Sequence, residues 1–248
     1  MSTVYILWLR QLKRYLRSRS RIIGSLGQPV LFLVALGFGF GPIFQRAGGG
    51  NYIDFLSPGV IAQGILFTAI FSGIELIWDR QFGFLKETLV APVSRLSIMI
   101  GRTLGGATIA TMQGIIVLIL TLLVGFRPQS ITGLPIAIAL MFLIALLFTA
   151  LGTAIASVLE DFQGFQLIMN FLVMPLFFLS GALFPLKSAP EFLQVISKIN
   201  PLSYGVDGLR QSLIGMGTFG LTLDFAVLSI LTIIVLIIGS YLFSKIEV

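Results

Sequence analysis

The sequence predicts an all-α polytopic membrane protein. Six transmembrane helices are expected, with an N-terminal amphipathic interfacial helix and two short outer re-entrant helices between spans five and six. Two observations predict this. Of 248 residues, 56% are hydrophobic and only 10% are charged, whereas a soluble domain carries about a quarter charged residues. The apolar residues also gather into runs of about 20, the length that crosses a bilayer core as a helix. No period-2 alternation suggests a barrel, and only a helix satisfies its own backbone over such a run.

The runs lie at about Leu26–Phe44, Pro58–Trp78, Leu104–Phe126, Leu134–Ser157, Phe165–Phe184 and Phe225–Phe243. The first is too long for a secretory signal, contains Gln28-Pro29, and is followed by no convincing cleavage site. Orientation follows from the basic residues. Arg10, Lys13, Arg14, Arg17, Arg19 and Arg21 precede the first span; Arg80, Lys86, Arg95 and Arg102 fall between the second and third; Lys245 follows the sixth. The other side holds Arg46, Arg127, Lys187, Lys198 and Arg210. The side richer in Lys and Arg faces the cytoplasm, so both termini are expected inside, in the cell membrane. The same rule accounts for the net charge of +6 without nucleic acid.

Before the first span, Tyr5, Trp8, Leu9, Leu12 and Leu16 recur at helical spacing, with Arg10, Lys13, Arg14, Arg17 and Arg21 opposite. This pattern predicts a helix in the interface, with Trp8 at headgroup depth. The second sizeable feature is the connector from Asp79 to Arg95, which mixes Phe82, Phe84, Leu85 and Leu89 with charges. Pro92 breaks helix there, giving a short amphipathic helix, a break, and a helix running into span three. As an elbow the connector is a surface element; as a lever it would move spans two and three together.

Between spans five and six, Ser188-Ala189-Pro190-Glu191 fits a capping box. Phe192, Leu193, Ile196 and Ile199 then form an apolar stripe. Asn200-Pro201 ends that helix and starts another, on which Asp207 and Arg210 stand at i,i+3 spacing for an ion pair. Both helices are too short to cross, so they lie at the interface or dip in.

With no cysteine and no histidine, the chain lacks the groups that most triads and zinc sites require. No metal or cofactor is expected in it. No phosphate-cradling G-x-x-x-x-G-K-[ST] loop and no K⁺-channel filter occur either. Glu75 and Glu160 fall near span ends and read as structural or solvated; Gln63, Gln113 and Asn170 read as helix-to-helix contacts. A gradient-driven secondary transporter or channel would need an acid near the midplane, and the central thirds of the spans offer none.

The connector D-R-Q-F-G-F-L-K-E-T-L-V-A-P-V-S-R, followed by Gly101-Arg102, resembles the ABC type-2 exporter permeases. So does the outer segment, with Ser180-Gly181, Phe184-Pro185, Asn200-Pro201-Leu202 and Val206-Asp207-Gly208-Leu209-Arg210 in the family's order. The likeness covers residues 1–248 as one permease domain and is nearest the drug-resistance and lipo-oligosaccharide export branch. Gln81 stands where the family usually carries Glu, so the salt bridge expected there is not carried over.

The resemblance implies an exporter subunit moving a hydrophobic or amphipathic substrate: drug, lipid or glycolipid. It implies two such permeases, as a homodimer or heterodimer, over two cytosolic ATPase subunits that hold ATP and Mg. On this carry-over, Arg10 and Arg14 of the N-terminal helix and Arg80, Gly83, Glu87, Leu89 and Pro92 of the connector face the ATPase. The Glu160-Asp161 turn is a further contact. Pro185, Pro190, Asn200, Pro201, Asp207 and Arg210 mark the outer helices, past which substrate leaves.

Overall fold

The computed structural model describes residues 3–46, 50–83, 93–159, 161–186 and 189–246. Among them every regular element is helical. Helix α1 (Thr3–Arg17) leads into α2 (Arg19–Phe32), which continues through a π turn, Leu33–Phe38, into α3 (Gly39–Arg46). Helix α4 (Tyr52–Phe71) turns at Ser72-Gly73 into α5 (Ile74–Gln81). Helices α6 (Arg95–Val124) and α7 (Gly133–Val158) follow. Next come α8 (Phe162–Ile168), a second π turn (Met169–Val173) and α9 (Met174–Phe178). Helices α10 (Glu191–Ile199), α11 (Pro201–Ile214) and α12 (Leu221–Ser244) complete the order.

Five helical runs among the described residues are long and apolar enough to cross a membrane: Arg19–Arg46, Tyr52–Gln81, Arg95–Val124, Gly133–Val158 and Leu221–Ser244. They coincide with expected spans one to four and six. Expected span five is the shorter run Phe162–Phe178, about 25 Å long at 1.5 Å per residue. The solvent of these helices is written on their surfaces. Ile23, Leu31, Phe38 and Ile43 on the first run, and Ile230, Ile233 and Ile237 on the last, are all exposed. Such faces are stable against lipid and not against water.

Proline explains both irregularities. A proline ring collides with the carbonyl four residues earlier. That carbonyl belongs to Phe38 for Pro42 and to Phe171 for Pro175, and each lies within a π turn. Widening the helix by one residue there relieves the collision. Ends are fixed by side chains and glycine. The Asn51 side chain accepts from Ile53 N at 3.1 Å, the Ser94 hydroxyl accepts from Ser97 N at 3.2 Å, and Gly125 closes α6 at φ 118°.

The core lies among α4, α6, α7 and α11, with Leu56, Ile61, Ile65, Leu140, Ile144, Phe148 and Leu209 buried. The two ends of the bundle are chemically distinct. One, the basic end, carries α1, α5, the start of α6 and the end of α12; the far end carries α10 and α11.

On α1, Tyr5 and Leu16 of the apolar stripe are exposed, whereas Leu7 and Tyr15 are buried. The Trp8 indole N–H donates to Thr108 Oγ1 at 3.0 Å. One expectation is corrected. Helix α10 starts at Glu191 with Pro190 as its N-cap and no side-chain capping bond, so Glu191 does not occupy the third turn position a capping box requires. Ser188 lies outside the described residues.

Candidate functional site: the charged lock at the basic end

Helix α1 reaches the bundle through glycine. A Cβ on Gly101 would stand 3.0 Å from Leu7 Cβ, and one on Gly105 would collide with Gln11 Oε1. These two glycines of α6, four apart and therefore on one face, let α1 approach as small-x-x-x-small faces do in membrane helices. In lipid no hydrophobic force separates helix faces from their surroundings, so close packing and polar contacts hold them instead. The polar contacts are present. Besides Trp8 to Thr108, the Tyr15 hydroxyl donates to Gln113 Oε1 at 3.0 Å. Burial pushes the Tyr15 phenol above its ordinary pKa, so it remains a donor.

Beside this seam lies a cluster of four guanidiniums and two carboxylates. Arg21 donates to Glu75 Oε1 at 2.6 Å, and Arg14 stands 3.9 Å from Glu75 Oε2. Arg10 stands 3.6 Å from Asp79 Oδ1, and Arg102 bonds Asp79 Oδ2. Glu75 and Asp79 lie one helical turn apart on α5, so one face presents both. Asp79 and Arg102 are buried, whereas Arg10 and Arg14 keep nearly half their side-chain surface exposed. The cluster thus joins α1, α2, α5 and α6. These contacts tie α1 to the helices of spans one, two and three.

Of the expected coupling residues, the structure brings Arg10 and Arg14 into this lock. Arg80 is partly buried on the last turn of α5, and Gly83 ends that turn with φ 79°. Glu87, Leu89, Pro92 and Glu160 lie outside the described residues. Asp161 is exposed and caps α8, its carboxylate accepting from Gly164 N at 2.6 Å. Arg95, at the head of α6, donates to Ile246 O at 3.1 Å and to Ser244 O, tying down the end of α12.

Reading by sequence missed Asp79 and Glu75 as a pair, and Arg21 and Arg102 as their partners. Their signal was available: two acids four apart at the end of an apolar run cannot be buried without cations. Asp224 was also missed. It is fully buried on the first turn of α12, and neither carboxylate oxygen has a hydrogen-bond partner among the described residues.

At the far end, α11 inserts among α4, α7 and α12. A Cβ on Gly205 would meet Ile144 at 2.8 Å, and one on Gly208 would meet Leu140 at 3.0 Å. Asn200 fixes the corner: its Oδ1 accepts from Leu202 N at 3.0 Å, and its Nδ2 donates to Leu176 O at 2.6 Å. Pro201 takes the first helical position, where its missing N–H costs nothing. Pro190 is exposed, and Pro185 borders a cavity with Phe40 and Tyr52.

The expected Asp207–Arg210 ion pair is replaced by main-chain partners. Asp207 accepts from Thr218 N and Phe219 N at 2.8 Å each. Arg210 donates to Gly181 O at 3.1 Å and lies over the Phe55 ring at 4.0 Å. Both side chains are buried, and in that position the unpaired carbonyls and N–H groups of neighbouring loops are the stronger claim on them.

The ABC-2 type transporter family model matches residues 2–214. A protein described as a transport permease, ycf38, from Cyanophora paradoxa is 30% identical over 76% of this chain and 66% of its own length. The ycf38 protein of Porphyra purpurea is 32% identical over 78% of this chain and 68% of its own length. Nodulation protein J of Rhizobium leguminosarum bv. viciae is 26% identical over 90% of this chain and 86% of its own length.

Proposed function

The chain belongs to the ABC-2 type transporter family, and from that premise we propose that it is the permease subunit of an exporter driven by ATP on a separate ATPase. It is a multi-pass membrane protein. Two copies, or one copy with a related permease, form the pathway in the cell membrane, and two ATPase subunits carrying ATP and Mg dock at the basic end. Both termini are cytoplasmic on this reading, because the basic residues gather at that end. The far end is then extracellular, with α10 and α11 dipping in as a re-entrant pair beside the exit. The cargo is hydrophobic or amphipathic: drug, lipid or glycolipid.

The observation that supports this reading best is the lock. A permease without its own phosphate loop must receive force from outside, and the lock joins the N-terminal helix, the root of the connector and spans one to three. The names of its relatives, a transport permease among them, agree with transport.

The test is flux. The chain is reconstituted in sealed vesicles with its co-purifying ATPase, and export of a fluorescent amphiphile is followed on adding ATP. Export is expected with the intact ATPase and is lost when the ATPase lacks its catalytic carboxylate. Undiminished flux with that dead ATPase would overturn the reading. A gradient-driven mechanism has one residue in its favour, the unpaired Asp224; flux without ATP that Asp224→Asn abolishes would establish it instead.

A further inference from the structure

A cavity of about 560 Å³ opens between α2, α4 and α5. Its walls are mostly apolar, with Pro29, Phe67, Phe71 and Trp78 among them, but its two ends are polar. At one end stands Gln63, 1% exposed, with neither Oε1 nor Nε2 hydrogen-bonded among the described residues. At the other stand Arg21 and Glu75. Twelve residues separate Gln63 from Glu75 along the helix, about 18 Å at 1.5 Å per residue.

Two physical facts define what fits. A buried amide with no partner costs free energy until something bonds it, so the deep end calls for a hydrogen-bonding group. The mouth belongs to the lock, where four guanidiniums, those of Arg10, Arg14, Arg21 and Arg102, face two carboxylates. At the mouth itself, among the described residues, the single carboxylate of Glu75 is met by two guanidiniums, Arg21 at 2.6 Å and Arg14 at 3.9 Å, so one positive charge is in excess there and favours a negative ligand. The walls between take an apolar body.

We propose that this cavity binds an elongated anionic amphiphile, its anionic head at Arg21, its body along Phe67 and Phe71, and a hydroxyl or amide at the far end of that body at the Gln63 amide. The inference rests on the transport reading and narrows its cargo. The lock thereby also senses occupancy of the cavity. A headgroup bound at Arg21 draws on the same guanidinium that holds Glu75, and so reaches the contacts that join α1, α2 and α5.

The probe is a long-chain fatty-acid anion with a hydroxyl on its terminal carbon, compared with the same acid without it. The full-length protein is purified in mild detergent without ATPase or ATP. Trp78 fluorescence reports binding in a Trp8→Phe background, since the chain has only two tryptophans and Trp78 lines the cavity. The hydroxylated acid is expected to bind about five-fold more tightly, the worth of one net hydrogen bond. Gln63→Leu should abolish that preference while keeping the affinity for the plain acid. Arg21→Gln should weaken both acids, and Thr68→Phe, which fills the cavity from its wall without touching either polar end, should do likewise.

Equal binding of the two acids to the unsubstituted cavity, or a preference that survives Gln63→Leu, overturns the proposal. A folded Thr68→Phe protein that binds as before also overturns it, by placing the ligand elsewhere. Because the assay contains no ATPase, its failure leaves ATP-driven export standing, and failure of the flux test leaves a positive binding result standing.

Discussion

The two ends of the bundle use their polar residues differently. At the basic end Asp79 and Glu75 are met by side chains, those of Arg10, Arg14, Arg21 and Arg102, two of them nearly half exposed. At the far end Asn200, Asp207 and Arg210 are met by main-chain groups at Leu176, Leu202, Gly181, Thr218 and Phe219. Main-chain partners are positioned by the local fold and cannot be exchanged without unmaking it. Long arginine side chains near water can change partner at small cost. The far end is thus built to keep its shape, whereas the basic end has a buried centre, Asp79 with Arg102, and an exchangeable rim at Arg10 and Arg14.

The largest effect should come from the connector, which roots in the lock. Leu89→Asp, in the part of the connector outside the described residues, is expected to leave membrane insertion intact and to abolish ATP-dependent flux while ATP hydrolysis continues. Unchanged flux in vesicles would defeat the lever.

Next is the buried pair. Asp79→Asn leaves the Arg102 guanidinium buried without its counter-charge and should lower stability by about 3–5 kcal/mol. Denaturation in detergent measures this; a loss under about 1 kcal/mol, the worth of an exposed ion pair, would mean that water reaches Arg102 and that the pair is not a fixed joint.

At the far end, Asn200→Ala removes the cap on α11 and leaves Leu176 O unpaired. About 1–2 kcal/mol should be lost, with proteolysis sites appearing between α10 and α11. Cleavage at the basic end instead would reverse the comparison of the two ends.

The smallest effect is expected at the rim of the lock. Arg14→Gln removes a pair 3.9 Å long from a half-exposed side chain, worth less than about 1 kcal/mol and screened by salt. A stability loss that persists unchanged at high salt would show that Arg14 is held as firmly as Arg102.

The spans were legible because length and apolarity decide them, and both are written in single runs such as Leu134–Ser157. How the helices face one another was not, for a reason that α1 makes plain. Hydrophobicity marks out the stripe that ends in Tyr5 and Leu16, which in the structure are exposed, and says nothing of the face that packs on the bundle. In a bilayer the greasiest face belongs to lipid, and the packed face is the one that meets glycine and polar side chains: Leu7 at Gly101, Gln11 at Gly105, Tyr15 at Gln113. The spacing of Gly101 and Gly105 was the available clue.

Asp207 and Arg210 failed the other way. Their i,i+3 spacing is right for a pair on an exposed helix, but α11 is buried and loop backbone competes for both. Pro42 and Pro175 were visible as punctuation, yet the π turns before them depend on how far the helix continues past each proline, which composition does not state.

The central claim is that α1 and α6 form one moving piece. The natural absence of cysteine allows a clean test: Leu7→Cys with Gly101→Cys places two thiols where the Cβ atoms stand about 3.0 Å apart, so a small shift admits a disulfide. With the ATPase present, the oxidised protein should export at the rate of its reduced form, because stapling two parts of one body changes nothing. Export that stops on oxidation and returns on reduction would contradict the account, since α1 would then have to slide on α6 in every cycle.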